Sequence, residues 1–171
     1  MTPTDHSRRR ALALGIGGGL AALQAGCGFQ LRGAADLPYK VYFVSAPPNS
    51  VIGGDLRRSI RANGAATTEV RKEAQARLDI LADLPESEIS ALSTSGRPRE
   101  YLLRLRVRWR LRDVAESDVI PESELVMRRT VTVLDTQGIV NAGQEVLLNR
   151  DMRNDAVQQI LRRLSTMKPP A

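Results

Sequence analysis

The residue best suited to covalent chemistry in this 171-residue chain is Cys27, its only cysteine. A lone thiol has no partner for an intramolecular disulfide. Cys27 stands close behind the apolar segment 11–23 and directly after the small residues Ala25 and Gly26. A cysteine in that position indicates a lipid acceptor, so we predict that Cys27 is acylated.

The segment before Cys27 has the order of a bacterial signal peptide. A basic run, Arg8–Arg10, precedes the apolar segment, which is as long as a signal peptide requires and shorter than the roughly 20 residues of a membrane span. Residues 23–27 resemble a bacterial lipobox, although Gln24 stands where an aliphatic residue is usual. An uncleaved anchor and a plain signal peptide with an unpaired cysteine are the alternatives. We predict a lipoprotein signal peptide over residues 1–26.

Few other side chains could support catalysis. The only histidine, His6, lies in the predicted signal peptide, so the mature chain would lack imidazole and, once Cys27 is lipidated, a free thiol. These groups are the commonest general base and the strongest nucleophile, and they supply most transition-metal ligands. We therefore expect no enzymatic activity, no metal site and no cofactor. Only the N-acyl and S-diacylglycerol groups on Cys27 would be added.

Arginine dominates the charge of the chain. The formal net charge is +6, and 22 of the 25 basic residues are arginines. Removal of residues 1–26 would leave 145 residues, enough for one domain, with a formal charge of about +4. Guanidinium groups bind carboxylates and phosphates through paired hydrogen bonds. An exported protein meets few nucleic acids, so we expect anionic lipid headgroups, and no nucleic acid, as partners.

The most regular pattern in the chain runs from Tyr101 to Arg112. Apolar residues alternate with arginines, which is typical of a β-strand with one buried and one polar face. Five arginines at alternate positions would form a cationic row about 27 Å long. Trp109 is in phase with the aliphatic residues, so we expect it in the core. The candidate binding residues are the five arginines of this strand and one of the next: Arg104, Arg106, Arg108, Arg110, Arg112 and Arg128.

Two explanations of these arginines remain open at this point. They could hold phosphates through charge-assisted hydrogen bonds, with their aliphatic stems packed against apolar chains. They could instead pair with acidic residues on neighbouring strands, each exposed pair contributing about 0.2–1 kcal/mol. Alternation places four acidic residues on the same face: Asp79, Asp83, Glu122 and Glu124.

Shorter patterns predict the remaining elements. Strands are predicted over residues 39–45, 77–84, 101–112 and 125–134. The mainly polar segment 85–98 includes a loop, and Ile89 and Leu92 leave open the alternative that a strand extends into it. One amphipathic helix follows a cap at Asn49 or Ser50, and a second carries an apolar stripe through residues 157–164. The order β-α-β-β-β-α predicts an α+β fold, in which two amphipathic helices pack on one face of a four-stranded mixed sheet. This single domain would span residues 39–171, behind a lipidated tether at 27–38.

Two stretches near the ends of the predicted mature chain carry a family resemblance. CGFQLRG, residues 27–33, resembles the N-terminus of LptE, the lipopolysaccharide-assembly lipoprotein family that is also called rare lipoprotein B. DMRNDAVQQILRRL, residues 151–164, resembles the last helix of that family. The order of the predicted elements between these stretches fits the family as well.

The resemblance implies an outer-membrane lipoprotein on the periplasmic side of the membrane, with no enzymatic activity. It implies a plug inside the LptD β-barrel that aids LptD folding and binds lipopolysaccharide during transfer to the outer leaflet. The six arginines would then contact lipid A phosphates or acidic groups that line the barrel. The alternative is an envelope lipoprotein scaffold that contacts only proteins.

Overall fold

Five β-strands and two α-helices form the part of the chain that the computed structural model describes, residues 36–133 and 142–167. The predicted signal peptide and Cys27 lie outside these residues. In chain order the elements are β1 (Val41–Ser45), α1 (Val51–Ala62), β2 (Ala66–Thr68), a 3-10 helix (Arg71–Glu73), β3 (Ala76–Leu92), β4 (Pro98–Asp113), β5 (Asp118–Thr132) and α2 (Ala142–Ser165).

The strands form one mixed sheet in the spatial order β2-β1-β3-β4-β5. β1 pairs in parallel with both β2 and β3, whereas β3, β4 and β5 pair antiparallel in sequence. The fold is α+β with two helices, as expected, but the four-stranded sheet and the order β-α-β-β-β-α were wrong, because β2 adds a strand after α1. With only three residues, Ala66–Thr68, β2 is too short to show an alternating pattern.

Both helices cover the same face of the sheet. Their apolar stripes join the inward residues of β1, β3, β4 and β5 in a single core. Trp109 is fully buried there, as expected, and the Arg163 guanidinium of α2 lies 5.7 Å from its ring centroid. We call this side of the sheet the inner face and the opposite side the outer face. The buried helix residues are Ile52, Leu56 and Ile60 of α1, and Met152, Ala156, Val157, Ile160, Leu161 and Leu164 of α2.

Helix α1 begins after one of its two predicted cap residues and ends before Asn63. The Ser50 hydroxyl, one of the two predicted caps, accepts a hydrogen bond from the Gly53 N–H at 3.1 Å. At the other end Asn63 is the C-cap, and Gly64 has φ +84°, the left-handed conformation that glycine tolerates best. Within the described residues, neither helix combines the length and the apolarity that a membrane span requires.

The core begins before the first strand. Leu37, in the predicted tether, is buried, and so is Tyr39. The Tyr39 N–H donates a hydrogen bond of 3.4 Å to the hydroxyl of Tyr42, and the two rings meet edge to face with centroids 5.9 Å apart. Burial raises the pKa of Tyr42 to about 12. The segment preceding β1 is therefore packed against the domain.

The hairpin of β3 and β4 is longer than the sequence suggests. β3 continues to Leu92 and β4 begins at Pro98, so most of the predicted loop at 85–98 is strand. Residues 76–82 of β3 are mostly buried, whereas the side chains from Leu84 onward are exposed or half-buried. The distal part of β3 is therefore largely open to water on both faces. We call this end of the hairpin the tip and the other end the root.

A β-bulge in β3 separates these two parts. Ile80 pairs with Trp109, but the next pair joins Ala82 to Arg108, so Leu81 is an extra residue on the β3 side. An extra residue shifts the alternation of side chains by one position. The residues of β3 from Ala82 to Ile89 consequently face the side opposite to the one that unbroken alternation predicts, and a second register shift follows between Ile89 and Ala91.

Two pairs beyond the bulge show this exchange of faces. Asp83 pairs with the buried Val107 and lies on the inner face. Leu84 pairs with Arg106 and lies on the outer face, where its exposed fraction is 50%. Alternation from the first half of the strand had predicted the reverse for both residues.

Candidate functional site

The six candidate arginines lie together on the outer face of the sheet. The five on β4 alternate with buried apolar residues, and Arg128 of β5 lies directly opposite Arg104. Their access to water differs widely: the exposed fraction of the side chain rises from 14% at Arg112 to 49% at Arg108. We call the surface formed by Arg104, Arg106, Arg108, Arg110, Arg112 and Arg128 the arginine face.

At the root, three arginines converge on one carboxylate. Asp79 is only 3% exposed and accepts hydrogen bonds from Arg77 at 2.6 Å, Arg110 at 3.2 Å and Arg112 at 2.8 Å. Burial by itself raises the pKa of the Asp79 carboxyl. The hydrogen bonds from Arg112, Arg77 and Arg110 outweigh that effect and hold the pKa below its ordinary value of 3.8. Arg110 and Arg112 are therefore committed to holding β3 and β4 together.

Towards the tip, glutamates of β3 neutralise the next two arginines. Arg104 lies 3.2 Å from Glu86 and 3.0 Å from Glu88. Arg106 lies 3.5 Å from Glu86 and 3.3 Å from Glu124 of β5. Glu86 and Glu88 were not predicted as partners, because they lie in the segment 85–98 that was expected to be mainly loop. Their spacing of two residues, opposite alternating arginines, was the signal that could have identified a strand.

Of the four acidic residues that were predicted to lie on the face of the arginines, three do so and one does not. Asp79, Glu122 and Glu124 pair with arginines on the outer face, as alternation predicted. Asp83 does not, because the bulge turns it to the inner face, where it accepts a hydrogen bond of 2.7 Å from the Ser50 hydroxyl. Much of the arginine face is thus an ion-pair network, which is the structural explanation left open above.

The most exposed of the candidate arginines lie on β4 and β5, between the root and the tip. Arg108 has a single acidic partner, Glu122 at 3.1 Å, and its side chain is half exposed. Arg128 is exposed and forms no ion pair with any residue in the ranges 36–133 and 142–167. Arg106, with an exposed fraction of 41%, stands on β4 between them. These three guanidinium groups are the ones that retain room for an external anion.

Apolar side chains border these three arginines. Leu84 of β3 and Val126 of β5 both pair with Arg106, so the three residues form a row across the strands. Leu84 is half exposed, and Val126 is partly exposed. Guanidinium groups bind phosphate oxygens, while exposed leucine and valine side chains can pack against hydrocarbon chains. The surface therefore suits a ligand that carries both groups.

The sequence of this domain matches a known protein family. The model of the family described as "LptE: Lipopolysaccharide-assembly" matches residues 40–164, which is most of the chain. The chain belongs to the LptE family. It is thus a member of a family of lipopolysaccharide-assembly lipoproteins that catalyse no reaction and need no cofactor.

Relatives of this LptE-family chain match nearly its whole length. The LPS-assembly lipoprotein LptE of Yersinia pestis (strain Pestoides F) is 29% identical over 168 residues, which cover 94% of this chain and 78% of that protein. The same values hold for the LPS-assembly lipoprotein LptE of Yersinia pseudotuberculosis serotype O:1b (strain IP 31758). The similarity to these relatives is therefore not confined to one motif.

Solved structures share the architecture of this LptE-family domain. The NMR structure of an uncharacterized lipoprotein B from Nitrosomonas europaea is 36% identical, covers 81% of this chain and 90% of its own, and superposes with a TM-score of 0.70. The crystal structure of rare lipoprotein B from Shewanella oneidensis is 17% identical, covers 74% of this chain and 94% of its own, and has a TM-score of 0.64. The second likeness concerns the fold alone.

Proposed function

We propose that this chain is an outer-membrane lipoprotein that binds lipopolysaccharide through the arginine face and plugs the β-barrel of LptD. Membership of the LptE family supports a role in lipopolysaccharide assembly. The single observation that carries lipopolysaccharide binding is the open group of Arg106, Arg108 and Arg128 beside exposed apolar side chains. Lipopolysaccharide has both a phosphorylated glycan and acyl chains, so it matches both parts of that surface.

The distribution of ion pairs narrows the candidate binding residues. Arg112 and Arg110 share the buried Asp79, and a ligand would have to break those hydrogen bonds before it could bind them. Arg104 is held by two glutamates and is only 23% exposed. Arg108 has one acidic partner, and Arg128 has none within the described residues. A phosphate would therefore gain the most binding energy at these two positions. Arg106 also has two glutamate partners, but its side chain is 41% exposed and lies between the other two. We therefore assign the ligand contacts to Arg106, Arg108 and Arg128.

Charge reversal of two of these residues tests the assignment. Arg106→Glu combined with Arg108→Glu should weaken lipopolysaccharide binding at least about tenfold, because each change removes a charged hydrogen bond and adds repulsion. The remaining binding should depend less on salt. Affinity is measured by titration at several ionic strengths, with thermal unfolding followed by circular dichroism to verify the fold.

The matched control reverses the same charge elsewhere. Arg150 and Arg162 are exposed on α2 and form no ion pair in the described part of the chain. Arg150→Glu combined with Arg162→Glu changes net charge equally and should leave affinity nearly unchanged. Equal weakening by both double variants would indicate non-specific attraction by net charge. An unchanged affinity in the Arg106 and Arg108 variant would leave these arginines with a structural role only.

Co-purification tests the proposed LptD partner. The chain, expressed with its signal peptide, should be recovered with LptD from detergent-solubilised outer membranes. Intact mass should show loss of residues 1–26 and addition of an N-acyl and an S-diacylglycerol group to Cys27. Recovery of the chain without LptD, together with normal LptD assembly after depletion, would contradict the plug. Stable protein complexes without any lipopolysaccharide binding would instead support the alternative, a scaffold that contacts only proteins.

A further inference from the structure

A polar cavity lies beside the root of the hairpin, away from the open arginines. Its volume is about 440 Å³; it is partly open to solvent and is lined by residues of the 3-10 helix, the start of β3 and the turn between β4 and β5. The charged residues that line it are Arg71, Lys72, Arg77, Asp113 and Glu116. Arg71, Lys72 and Glu116 have no part in the proposed lipopolysaccharide contacts.

Three guanidinium groups in and beside this cavity converge on the Glu116 side chain. Arg112 lies 2.6 Å from its Oε2 atom, Arg77 lies 3.8 Å from the same atom, and Arg71 contacts Oε1. Glu116 is nevertheless 41% exposed. The Glu116 carboxylate thus occupies the position among three arginines that an external anion would take. Because the side chain lies at the surface, it has room to move away.

The backbone of Glu116 is unusual for its residue type. Its φ is +63°, and it is the only non-glycine residue with positive φ in the described ranges. Glutamate is disfavoured in this left-handed conformation, which side chains with a Cβ rarely adopt. The neighbouring Asp113 carboxylate accepts a hydrogen bond of 2.9 Å from the Ser117 N–H and so stabilises the turn. The turn thereby presents the Glu116 carboxylate to the arginines.

Lys72 supplies a further positive charge that nothing in the described structure neutralises. It lines the cavity, is exposed, and forms no ion pair with residues 36–133 or 142–167. The Asp113 carboxylate accepts a hydrogen bond within the turn, and the Asp79 carboxylate already accepts hydrogen bonds from three arginines. The three cationic residues that line the cavity, Arg71, Lys72 and Arg77, therefore exceed the two lining carboxylates by one charge.

We propose that this cavity is a second anion site, which binds a phosphate group through Arg71, Lys72 and Nη1 of Arg77, and that Glu116 is a built-in counter-ion which the phosphate displaces. Nε of Arg77 stays bonded to Asp79, whereas its Nη1 lies 3.8 Å from Glu116. A phosphate monoester carries up to two negative charges and three acceptor oxygens, more than the single carboxylate that it would replace. Displacement requires this half-exposed side chain to rotate out of its ion pairs with Arg71, Arg77 and Arg112, which the phosphate replaces at Arg71 and Arg77. The phosphate belongs either to free inorganic phosphate or to a lipid headgroup, and the chemistry of recognition is the same.

The test measures binding of inorganic phosphate to the purified full chain by calorimetric titration against chloride at equal ionic strength. Glu116→Gln removes the competing charge and keeps the size of the side chain, so phosphate should bind about tenfold more tightly. Lys72→Gln and Arg71→Gln should each weaken binding by a similar factor. The controls are Glu69→Gln and Arg162→Gln, which make the same charge changes outside the cavity and should alter the affinity less than twofold.

Equal affinity in the wild type, Glu116→Gln and Lys72→Gln would overturn the proposal, and so would the absence of phosphate binding to every variant. Vesicles of phosphatidylcholine with and without phosphatidic acid distinguish the source of the phosphate. Preference for phosphatidic acid that is lost in Lys72→Gln identifies a headgroup; phosphate binding without such a preference identifies the free ion. Thermal unfolding confirms that each variant is folded. Because Arg106 and Arg108 are absent from this cavity, failure here leaves lipopolysaccharide binding by the arginine face untouched.

Discussion

Ser50 and Asp83 connect the start of helix α1 to the strand β3 just beyond its bulge. The Ser50 hydroxyl donates to Oδ2 of Asp83 at 2.7 Å and accepts a hydrogen bond from the Gly53 N–H at 3.1 Å. One hydroxyl thus caps the helix and satisfies a carboxylate on the inner face. Asp83 reaches this position only because the extra residue Leu81 turns it away from the arginines.

Ser50→Ala should therefore lower the free energy of unfolding by about 1–2 kcal/mol, since it removes both the cap and the partner of Asp83. Combined with Asp83→Ala it should show a coupling energy of about 0.5–1.5 kcal/mol. Urea unfolding of the two single variants and the double variant measures this energy. Strictly additive effects would contradict the hydrogen bond.

A pair of leucines on β3 tests the exchange of faces. Leu84 is half exposed on the outer face, so Leu84→Ala should change the free energy of unfolding by less than about 0.5 kcal/mol. Leu78, which precedes the bulge and is fully buried, serves as the comparison; its replacement by alanine should cost about 2–5 kcal/mol. Similar large losses at both positions in urea unfolding would mean that alternation continues unbroken through the strand.

How far the sequence predicts this structure depends on how regular each segment is. β4 was predicted almost completely because alternation of apolar residues with arginines persists along its length. The distal half of β3 was not, because the bulge at Leu81 breaks the period and the following residues, from Pro85 to Ser90, are mostly polar. The three-residue strand β2 carries no periodic signal at all. A strand outside regular alternation depends on its partner, which local sequence does not encode.

The same reasoning applies to the arginine face. Alternation along β4 placed five arginines on one side, but their partners come from other strands whose register the sequence does not fix. Glu86 and Glu88 were missed because their segment was expected to be mainly loop, and Asp83 was placed on the wrong face because the bulge at Leu81 shifts the register. Glu116, which joins Arg112 from the β4–β5 turn, depends on a left-handed backbone that its residue type does not suggest.

Two adjacent glycines of α1 should respond oppositely to alanine. A Cβ on Gly53 would lie 2.6 Å from the Cβ of Ala46, so Gly53→Ala should destabilise the domain by about 1–3 kcal/mol despite the better helix propensity of alanine. A Cβ on Gly54 has only Arg58 Nη1 near it, at 3.6 Å, so Gly54→Ala should stabilise by up to about 1 kcal/mol. Thermal unfolding compares the two variants, and a stabilising Gly53→Ala would show that α1 and Ala46 are farther apart than this distance.

Removal of the Asp79 charge should be costly at neutral pH. Asp79→Asn leaves Arg77, Arg110 and Arg112 without their shared carboxylate, and we expect a loss of about 3 kcal/mol. This value is at the low end for a broken buried ion pair, because the arginines keep some access to water. Glu122→Gln is the control: it removes a carboxylate from the exposed pair with Arg108 and should cost less than about 1 kcal/mol.

The pH dependence of this loss has a defined sign. The pKa of Asp79 is lower in the folded protein than its ordinary 3.8, so its ion pairs stabilise the fold above about pH 4. That contribution disappears as the pH falls through the folded-state pKa. The difference in unfolding free energy between the wild type and Asp79→Asn should therefore be constant near neutrality and shrink below about pH 4. Urea unfolding between pH 3 and pH 7 measures it, and a difference that grew on acidification would contradict the assigned ion pairs.

Along the arginine face, protection of the backbone amides of β3 from hydrogen exchange should decrease from the root of the hairpin to its open tip. Arg112 lies over the root, where β3 is buried, whereas Arg104 lies over distal β3, whose side chains are exposed on both faces. Strand hydrogen bonds with so little apolar cover open at lower free energy than the core does, so amide exchange should quicken from Ile80 towards Leu92. A ligand that spans Arg108 and Arg128 would bind across this gradient. Its binding would therefore slow amide exchange at the tip more than at the root.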